Sequence, residues 1–358
     1  MAKIKSMTAE KTPVKEVFKI NGMEVNEDVL DEMERTKWKR VGKTLLKDWR
    51  LYVLLIPLLV FMFFFKYLPI QGILMAFKNI DTQPNAMDMS WAGTRFVTAL
   101  FIDNNFWVSF RNTFVNSMYG LVLGFPIPIL LAIQFSEIKS YGYRSVLQVC
   151  SYLPKFLSTV VTTTIISVWC RRITVSGSDV KGLLTLIFEN FGWLEGPSSD
   201  NGYVLEDGIL YQARFFRPLY QISGVWEGAG YGSIVYFAAI LAISPTSYEA
   251  AKIDGASKIQ QIRYVTLPGM APTLSIMLIM RVGHALNIGY EKVMLLYTDS
   301  SYETADVIST YITRLRADGS DAALSKGIAA DLMNSVIAMA LVLGANAISR
   351  KVSDTSLF

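Results

Sequence analysis

The chain is poor in the residues that do chemistry. Its 358 residues include one histidine and two cysteines. His284 has no histidine or cysteine neighbour at metal-ligand spacing, so no metal centre is expected. Cys150 and Cys170 share one apolar segment. Twenty residues of continuous helix would hold them about 30 Å apart, too far for a disulfide. There is no glycine-rich phosphate loop ending in Lys-Ser or Lys-Thr, so the chain cannot bind ATP in the usual way. No nucleophile–base pair is evident, which argues against an enzyme embedded in the membrane. No cleavable leader is evident either. Residues 1–34 are polar, mixed in charge and without a readable motif, and are expected to form a mobile tail. Charged residues amount to only 18 %.

Apolar residues are plentiful instead. They make up 52 % of the chain, which suits a polytopic membrane protein rather than a soluble enzyme of this length. Six apolar segments lie near 50–68, 107–135, 145–170, 222–243, 269–290 and 328–348. Each can carry a span of roughly 20 residues. In the first, Lys66 follows a charge-free run from Leu51 to Phe65 and can snorkel to the interface. The net charge of +4 is modest, and no nucleic-acid partner is expected. Its placement says more. Arg35, Lys37, Lys39, Arg40, Lys43, Lys47 and Arg50 crowd before the first segment, and Arg350 and Lys351 follow the last. The positive-inside rule puts both termini in the cytoplasm, together with the loops near 136–144 and 244–268. The loops near 69–106, 171–221 and 291–327 then face outward. Residues 35–50, with Trp38, Val41, Leu45, Leu46 and Trp49 among the basics, read as an amphipathic helix on the inner leaflet. The expected organisation is a cytoplasmic tail and amphipathic helix over 1–49, a membrane domain over 50–350 and a cytoplasmic tail over 351–358.

The loop over 244–268 is polar yet patterned. Ala250, Ala251, Ile253, Ala256, Ile259 and Ile262 recur at near-helical spacing and build one apolar face. Asp254-Gly255 supplies a turn between two short helices. Pro268 starts the next span, where its missing N–H costs little. A helix-turn-helix at a membrane surface fits a docking element for a soluble partner.

Ionisable residues at membrane depth are costly and therefore candidates for function. Lys155 follows Pro154 near the middle of the third segment. Arg281 and His284 lie in the fifth, followed by Asn287, Tyr290 and Glu291. Glu227 sits beside Trp226 in the fourth, and Asp331 begins the sixth. Two readings are open. Arg281 or Lys155 pairs internally with Glu227 or Glu291, or these groups line a water-filled substrate path. Trp226, Tyr231 and Tyr290 with Glu227, Asn287 and Glu291 have the composition of a sugar site, and equally that of an interfacial aromatic belt. Gly228-Ala229-Gly230-Tyr231-Gly232 opens the fourth segment and reads as close helix packing or cavity lining.

The loop runs Glu249-Ala250-Ala251, three residues, Gly255, nine residues, Val265-Thr266-Leu267-Pro268. This resembles the EAA loop of permease subunits of ATP-driven importers that use a separate solute-binding protein, with Val265 where the family usually has Ile. From about residue 50 the chain resembles maltose-type carbohydrate permeases, and most closely the branch associated with complex oligosaccharides and polysaccharide fragments. Lys66-Tyr67-Leu68-Pro69, Gly72 to Lys78, Phe216 to Tyr220, Tyr302 to Ile308 and Asp354 to Phe358 carry that match. The resemblance implies an all-α membrane protein of six transmembrane helices with a cytoplasmic EAA coupling loop, in the bacterial cytoplasmic membrane. It implies a second homologous permease subunit, two ATPase subunits holding ATP and Mg, an extracytoplasmic solute-binding protein and an oligosaccharide substrate. This chain would bind no cofactor. Glu249, Ala250, Ala251, Asp254, Gly255, Leu267 and Pro268 would dock an ATPase. The family's cavity positions fall on Glu227, Gly228 and Tyr231 beside Trp226, and on Ala285, Leu286 and Gly289 or their neighbours. Glu227 there points to a sugar bearing an amine or other donors, whereas Lys155 and Arg281 point to uronic-acid carboxylates. The rival readings are an importer permease for a peptide or polyamine-like solute, and an ion-coupled secondary transporter. The latter leaves the docking loop unexplained and lacks an evident inverted repeat.

Overall fold

A computed structural model of the chain describes residues 17–20, 23–26, 47–80, 87–175, 178–194 and 205–352. They fall into two compact units, Met1–Ile70 and Gln71–Phe358. The first holds an antiparallel hairpin, β1 (Val17–Ile20) with β2 (Met23–Asn26), in which Val17 faces Asn26. The expectation of a motif-free tail is corrected here. Val17, Phe18, Ile20 and Val25 favour strand, and Asn21-Gly22 between the strands is the pair preferred in two-residue hairpin turns. The segment 27–46, which holds most of the expected amphipathic helix, and the tail 353–358 lie outside the described residues. Helix α1 (Trp49–Met62) has no buried residue, as a lipid-facing span requires. A π turn (Phe63–Tyr67) and a 3-10 stretch (Leu68–Phe77) follow it.

The second unit is built on α2 (Arg95–Ile102), α3 (Asn104–Gly124), α4 (Pro126–Glu137), α5 (Tyr141–Tyr152), α6 (Thr159–Cys170) and the long α8 (Ala213–Leu241), with α7 (Leu183–Asn190) between the last two. Beyond α8 come α9 (Pro245–Ile253), α10 (Lys258–Gln261), α11 (Leu267–His284), α12 (Tyr290–Leu296), α13 (Tyr302–Ala305), α14 (Ile308–Asp318) and α15 (Asp321–Val352). Among the described residues, four helical stretches are long and apolar enough to cross a membrane, and up to six if each of two bent pairs counts as one span.

Helix α3 shows why membrane segments pack with inverted polarity. Ser109, Asn112, Thr113, Asn116 and Ser117 form its buried stripe, while Trp107, Phe114 and Val122 are exposed. Lipid is as apolar as leucine, so helices associate through small and hydrogen-bonding residues instead. Gln221 on α8 donates to the Asn116 carbonyl at 2.8 Å, and Ser117 donates to the Ala285 carbonyl at 2.5 Å. Asp306, almost fully buried, accepts from Ser109, from Thr310 at 2.7 Å and from both Arg314 nitrogens. Asp103 caps α3 and accepts from Tyr311 at 2.8 Å and Lys326 at 2.5 Å.

Several expectations change. The third segment is not one straight helix: Tyr141–Phe156 and Thr159–Cys170 meet at 94° across Leu157-Ser158. The first piece tightens to a 3-10 turn over Leu153–Phe156, with Pro154 in that turn, and Ser158 caps the restart by accepting from the Val161 N–H. The 30 Å separation argued for Cys150 and Cys170 assumed a continuous helix and does not follow; both are free, one exposed and one buried. The glycine-rich stretch does not open a span, because α8 begins at Ala213 and Gly228 lies well inside it. Gly230 is the close-packing member: a Cβ there would overlap the Ser151 carbonyl on α5. Asp331 likewise lies inside α15 rather than at its start. The segment after α6 is not purely helical. It carries β3 (Arg171–Val175), β4 (Ser178–Lys181) and β5 (Leu205–Gly208) in an antiparallel sheet of order β4-β3-β5.

Candidate functional site

The EAA loop folds as two capped helices. Pro245 opens α9 at its first turn, where its missing donor is harmless. At the other end Gly255 adopts φ 77°. Its N–H reaches the Lys252 carbonyl, and the Ala256 N–H reaches the Ala251 carbonyl. This Schellman closure requires a left-handed residue, and glycine takes that conformation without a Cβ penalty. Ser257 then caps α10, with Gln260 returning the bond to the Ser257 N–H. The single apolar face expected across this loop is divided. Ala251, Ala256 and Ile262 are half-buried, whereas Ile253 is 86 % exposed and Ile259 78 %. Pro268 stands in the first turn of α11, as expected, and the helical run is continuous through it from Lys258 to His284. A π turn over Ile262–Thr266 directly precedes the proline, the kind of local adjustment that accommodates a missing donor. Tyr248 meets Thr266 at 3.1 Å, and Lys258 pairs with Glu137 at 2.5 Å. Glu249 lies exposed on the rim of an approximately 400 Å³ cleft that also holds Glu137, Lys139, Lys252 and Lys258.

A cavity of about 260 Å³ lies among α3, α8, α11 and α12. Gly120, Gly124, Tyr220, Gln221, Gly224, Glu227, Gly228, Arg281 and Lys292 line it. The internal pairing proposed for Glu227 exists with a different partner. Lys292 donates to Glu227 Oε2 at 3.0 Å, and both side chains are largely buried. The Lys292 ammonium also stands 5.5 Å from the centre of the Tyr220 ring. Glu227 Oε1 has no hydrogen-bond partner among the described residues. Arg281 is left without a carboxylate at ion-pair distance among the described residues. Its guanidinium fills the space that a Cβ at Gly124 would occupy. Lys155 is exposed at the break between α5 and α6, close enough to Lys292 to repel it.

A second cavity of about 430 Å³ is lined by Leu286, Asn287, Ile288, Gly289, Tyr290, Ser309, Thr313, Arg316, Asp331 and Asn334, among others. The fifth segment does not run to residue 290 as one helix; α11 stops at His284 and the chain is irregular to Gly289. Non-helical backbone at membrane depth survives only where protein covers it or it lines a cavity, and this stretch lines one. Ser309 Oγ and Asn334 Oδ1 are buried without hydrogen-bond partners among the described residues.

The expected cluster of Trp226, Tyr231, Tyr290, Glu227, Asn287 and Glu291 is therefore divided. Glu227 belongs to the first cavity; Asn287 and Tyr290 belong to the second. Trp226 is half-exposed, and Tyr231 meets Phe156 edge-on at 6.2 Å. Neither Trp226, Tyr231 nor Glu291 lines either cavity. Ala285 contributes its carbonyl to Ser117. Sequence reasoning missed Lys292, Gln221, Arg316 and Asn334. Lys292 was readable only as one charge in an outward loop, since its burial depends on α12 folding back against α8.

The model of the family described as "Binding-protein-dependent transport system inner membrane component" matches residues 124–353. The chain is 29 % identical to the polygalacturonan/rhamnogalacturonan transport system permease protein YteP of Bacillus subtilis (strain 168), over 91 % of this chain and 95 % of that one. It is 31 % identical to the protein LplB of the same organism, over 87 % and 92 %. A chain in the crystal structure of a bacterial ABC transporter involved in the import of the acidic polysaccharide alginate superposes with a TM-score of 0.75 at 37 % identity, covering 88 % of this chain and 99 % of that one. The family match covers α8, the EAA loop, α11, α12 and the last span together, and begins at the last residue of α3. The chain therefore belongs to the family of binding-protein-dependent transport system inner membrane components, as a multi-pass permease subunit.

Proposed function

We propose that this chain forms half of the translocation path of an ATP-driven oligosaccharide importer, and that its substrate carries carboxylates. The observation that carries the second part is Arg281. Lys292 neutralises Glu227, so the pulls of Glu227 and Arg281 no longer cancel. The first cavity keeps a net positive charge, and a planar guanidinium is matched to a carboxylate. Asn287, Tyr290, Ser309, Asp331 and Asn334 in the second cavity offer a ring face and hydrogen-bonding groups to sugar hydroxyls. The names of YteP and of the alginate transporter, both handling acidic polymers, support this reading.

The partners are a second homologous permease, two ATPases carrying ATP and Mg, and an extracytoplasmic solute-binding protein. The alginate transporter has been seen with a pentasaccharide-bound periplasmic protein, which supports the last of these. Both termini lie in the cytoplasm, as does the EAA loop. Ile253 and Ile259, exposed on either side of the Gly255 turn, give a soluble ATPase an apolar surface to cover. ATP-driven closure then rocks the two permease halves between inward- and outward-facing states.

The test is ATPase activity of the co-purified complex in liposomes, with its binding protein and a panel of neutral, amino and uronic oligosaccharides. Stimulation by uronic saccharides alone is the expected result. Stimulation by neutral or amino sugars would refute the charge assignment, and stimulation only by peptides or other solutes would refute the carbohydrate assignment.

A further inference from the structure

Ten residues before Glu227 on α8, toward the end remote from the EAA loop, stands Arg217. Spacings of four, seven and eleven residues place it on one helical row with Gln221, Gly224 and Gly228, all of which line the first cavity. At 1.5 Å per residue, Arg217 is about 15 Å from Glu227 along the helix. Its Nη2 donates to Asn112 Oδ1 at 2.8 Å, while its Nε is buried without an acceptor. Its electrostatic neighbours are Arg111, Tyr119 and Glu303. Arg111, exposed on α3, donates to the Glu303 carbonyl at 3.3 Å. Neither arginine has a carboxylate at ion-pair distance among the described residues. Asn112 is anchored from its other side, donating to the carbonyls of Glu303 at 2.8 Å and Asp306 at 2.9 Å. The network thus holds two neighbouring guanidiniums together without neutralising them. Cations on the helices of a membrane bundle ordinarily pair, or mark a substrate path.

We infer that Arg111 and Arg217 form a second anion site, separate from Arg281, that takes another carboxylate of the same uronic saccharide chain. The inference rests on the acidic-substrate reading above. Guanidinium forks bind carboxylates through paired, charge-assisted hydrogen bonds. Glu303 at the edge of the site competes for the same donors, which keeps the attraction weak enough for the chain to move on. A substrate long enough to reach both sites is held at two points. A disaccharide reaches one.

The experiment compares uptake of galacturonate di- and pentasaccharides by the full complex in liposomes, at limiting loaded binding protein. Arg217→Gln, alone and with Arg111→Gln, should slow pentasaccharide uptake about tenfold, the scale of one charge-assisted bond, and leave the disaccharide unchanged. Arg217→Lys, which keeps the charge, should retain most of the rate. Equal slowing at both lengths would overturn the inference in favour of a packing role through Asn112. Unchanged pentasaccharide uptake in the double variant would also overturn it. If Arg281→Gln slows both lengths and Arg217→Gln slows neither, only the second site falls. If the unaltered complex transports neither galacturonate, the acidic-substrate reading falls with it.

Discussion

Removing Lys292 tests the central cavity most directly. Its ammonium stands 3.0 Å from Glu227 Oε2, with side-chain exposures of 10 % and 20 %. Lys292→Met keeps the bulk and deletes the charge. Glu227 would then keep a buried carboxylate whose Oε1 already lacks a partner. Removing one member of a buried pair costs about 3–5 kcal/mol, because the survivor remains desolvated and uncompensated. Removing both with groups of similar shape is far cheaper. Lys292→Met should therefore lower the Tm of the purified complex by about 6–10 °C, at roughly 2 °C per kcal/mol for a chain of this size. The double change with Glu227→Gln should recover most of that loss. The assay is thermal unfolding of wild type, both single variants and the double variant, closed as a cycle. A Lys292→Met complex as stable as wild type, or a double variant no better than the single one, would refute the buried pair. Uptake adds a second readout: the double variant keeps Arg281 and should still prefer uronic substrates.

Other consequences are equally direct. Gly124→Leu places a side chain where the Arg281 guanidinium lies, and uptake should fall at least tenfold while the complex still assembles. In the docking loop, Gly255→Pro or Glu249→Lys should abolish uptake with membrane insertion intact; normal transport in either would remove the loop from coupling. Gly230→Val drives a branched side chain into the Ser151 carbonyl and should lower complex yield, with a cost of at least about 1–3 kcal/mol from overpacking. Burial alone would raise the Asp103 carboxyl, but hydrogen bonds from Lys326, Tyr311 and the Asn105 N–H hold it below its usual value. A lowered acid contributes stability that is present above its unfolded pKa of about 3.9 and lost as pH falls through the folded one. Asp103→Asn should therefore be less stable than wild type at pH 7, and the gap should close below about pH 4 in a thermal-shift series.

How much of this was legible in the sequence varies by element. The six apolar stretches could be read because hydrocarbon admits only long apolar helices with their backbone satisfied internally. The EAA loop could be read because proline, serine and glycine act locally, and Pro245, Ser257 and Gly255 each perform the capping or turn task their chemistry favours. The hairpin at residues 17–26 was legible too, through Asn21-Gly22, but polar composition concealed it. The breaks were harder. Pro154 marks one; nothing in Ala285 to Gly289 except a single glycine marks the other.

Sequence alone determined that the chain crosses the membrane several times, carries a patterned polar loop at Glu249 to Pro268, and holds costly charges among its apolar segments. These follow from hydropathy, capping and solvation, which act over a few residues at a time. Which charges meet was decided by tertiary structure. Lys155 and Arg281 were the obvious partners for Glu227, yet Lys292, sixty-five residues beyond it, holds the carboxylate. Pairing of that kind depends on how α12 returns against α8, and contacts across such distances leave no periodic trace in the chain. The substrate assignment turns on that one long-range contact, because it leaves Arg281 with no carboxylate at ion-pair distance among the described residues.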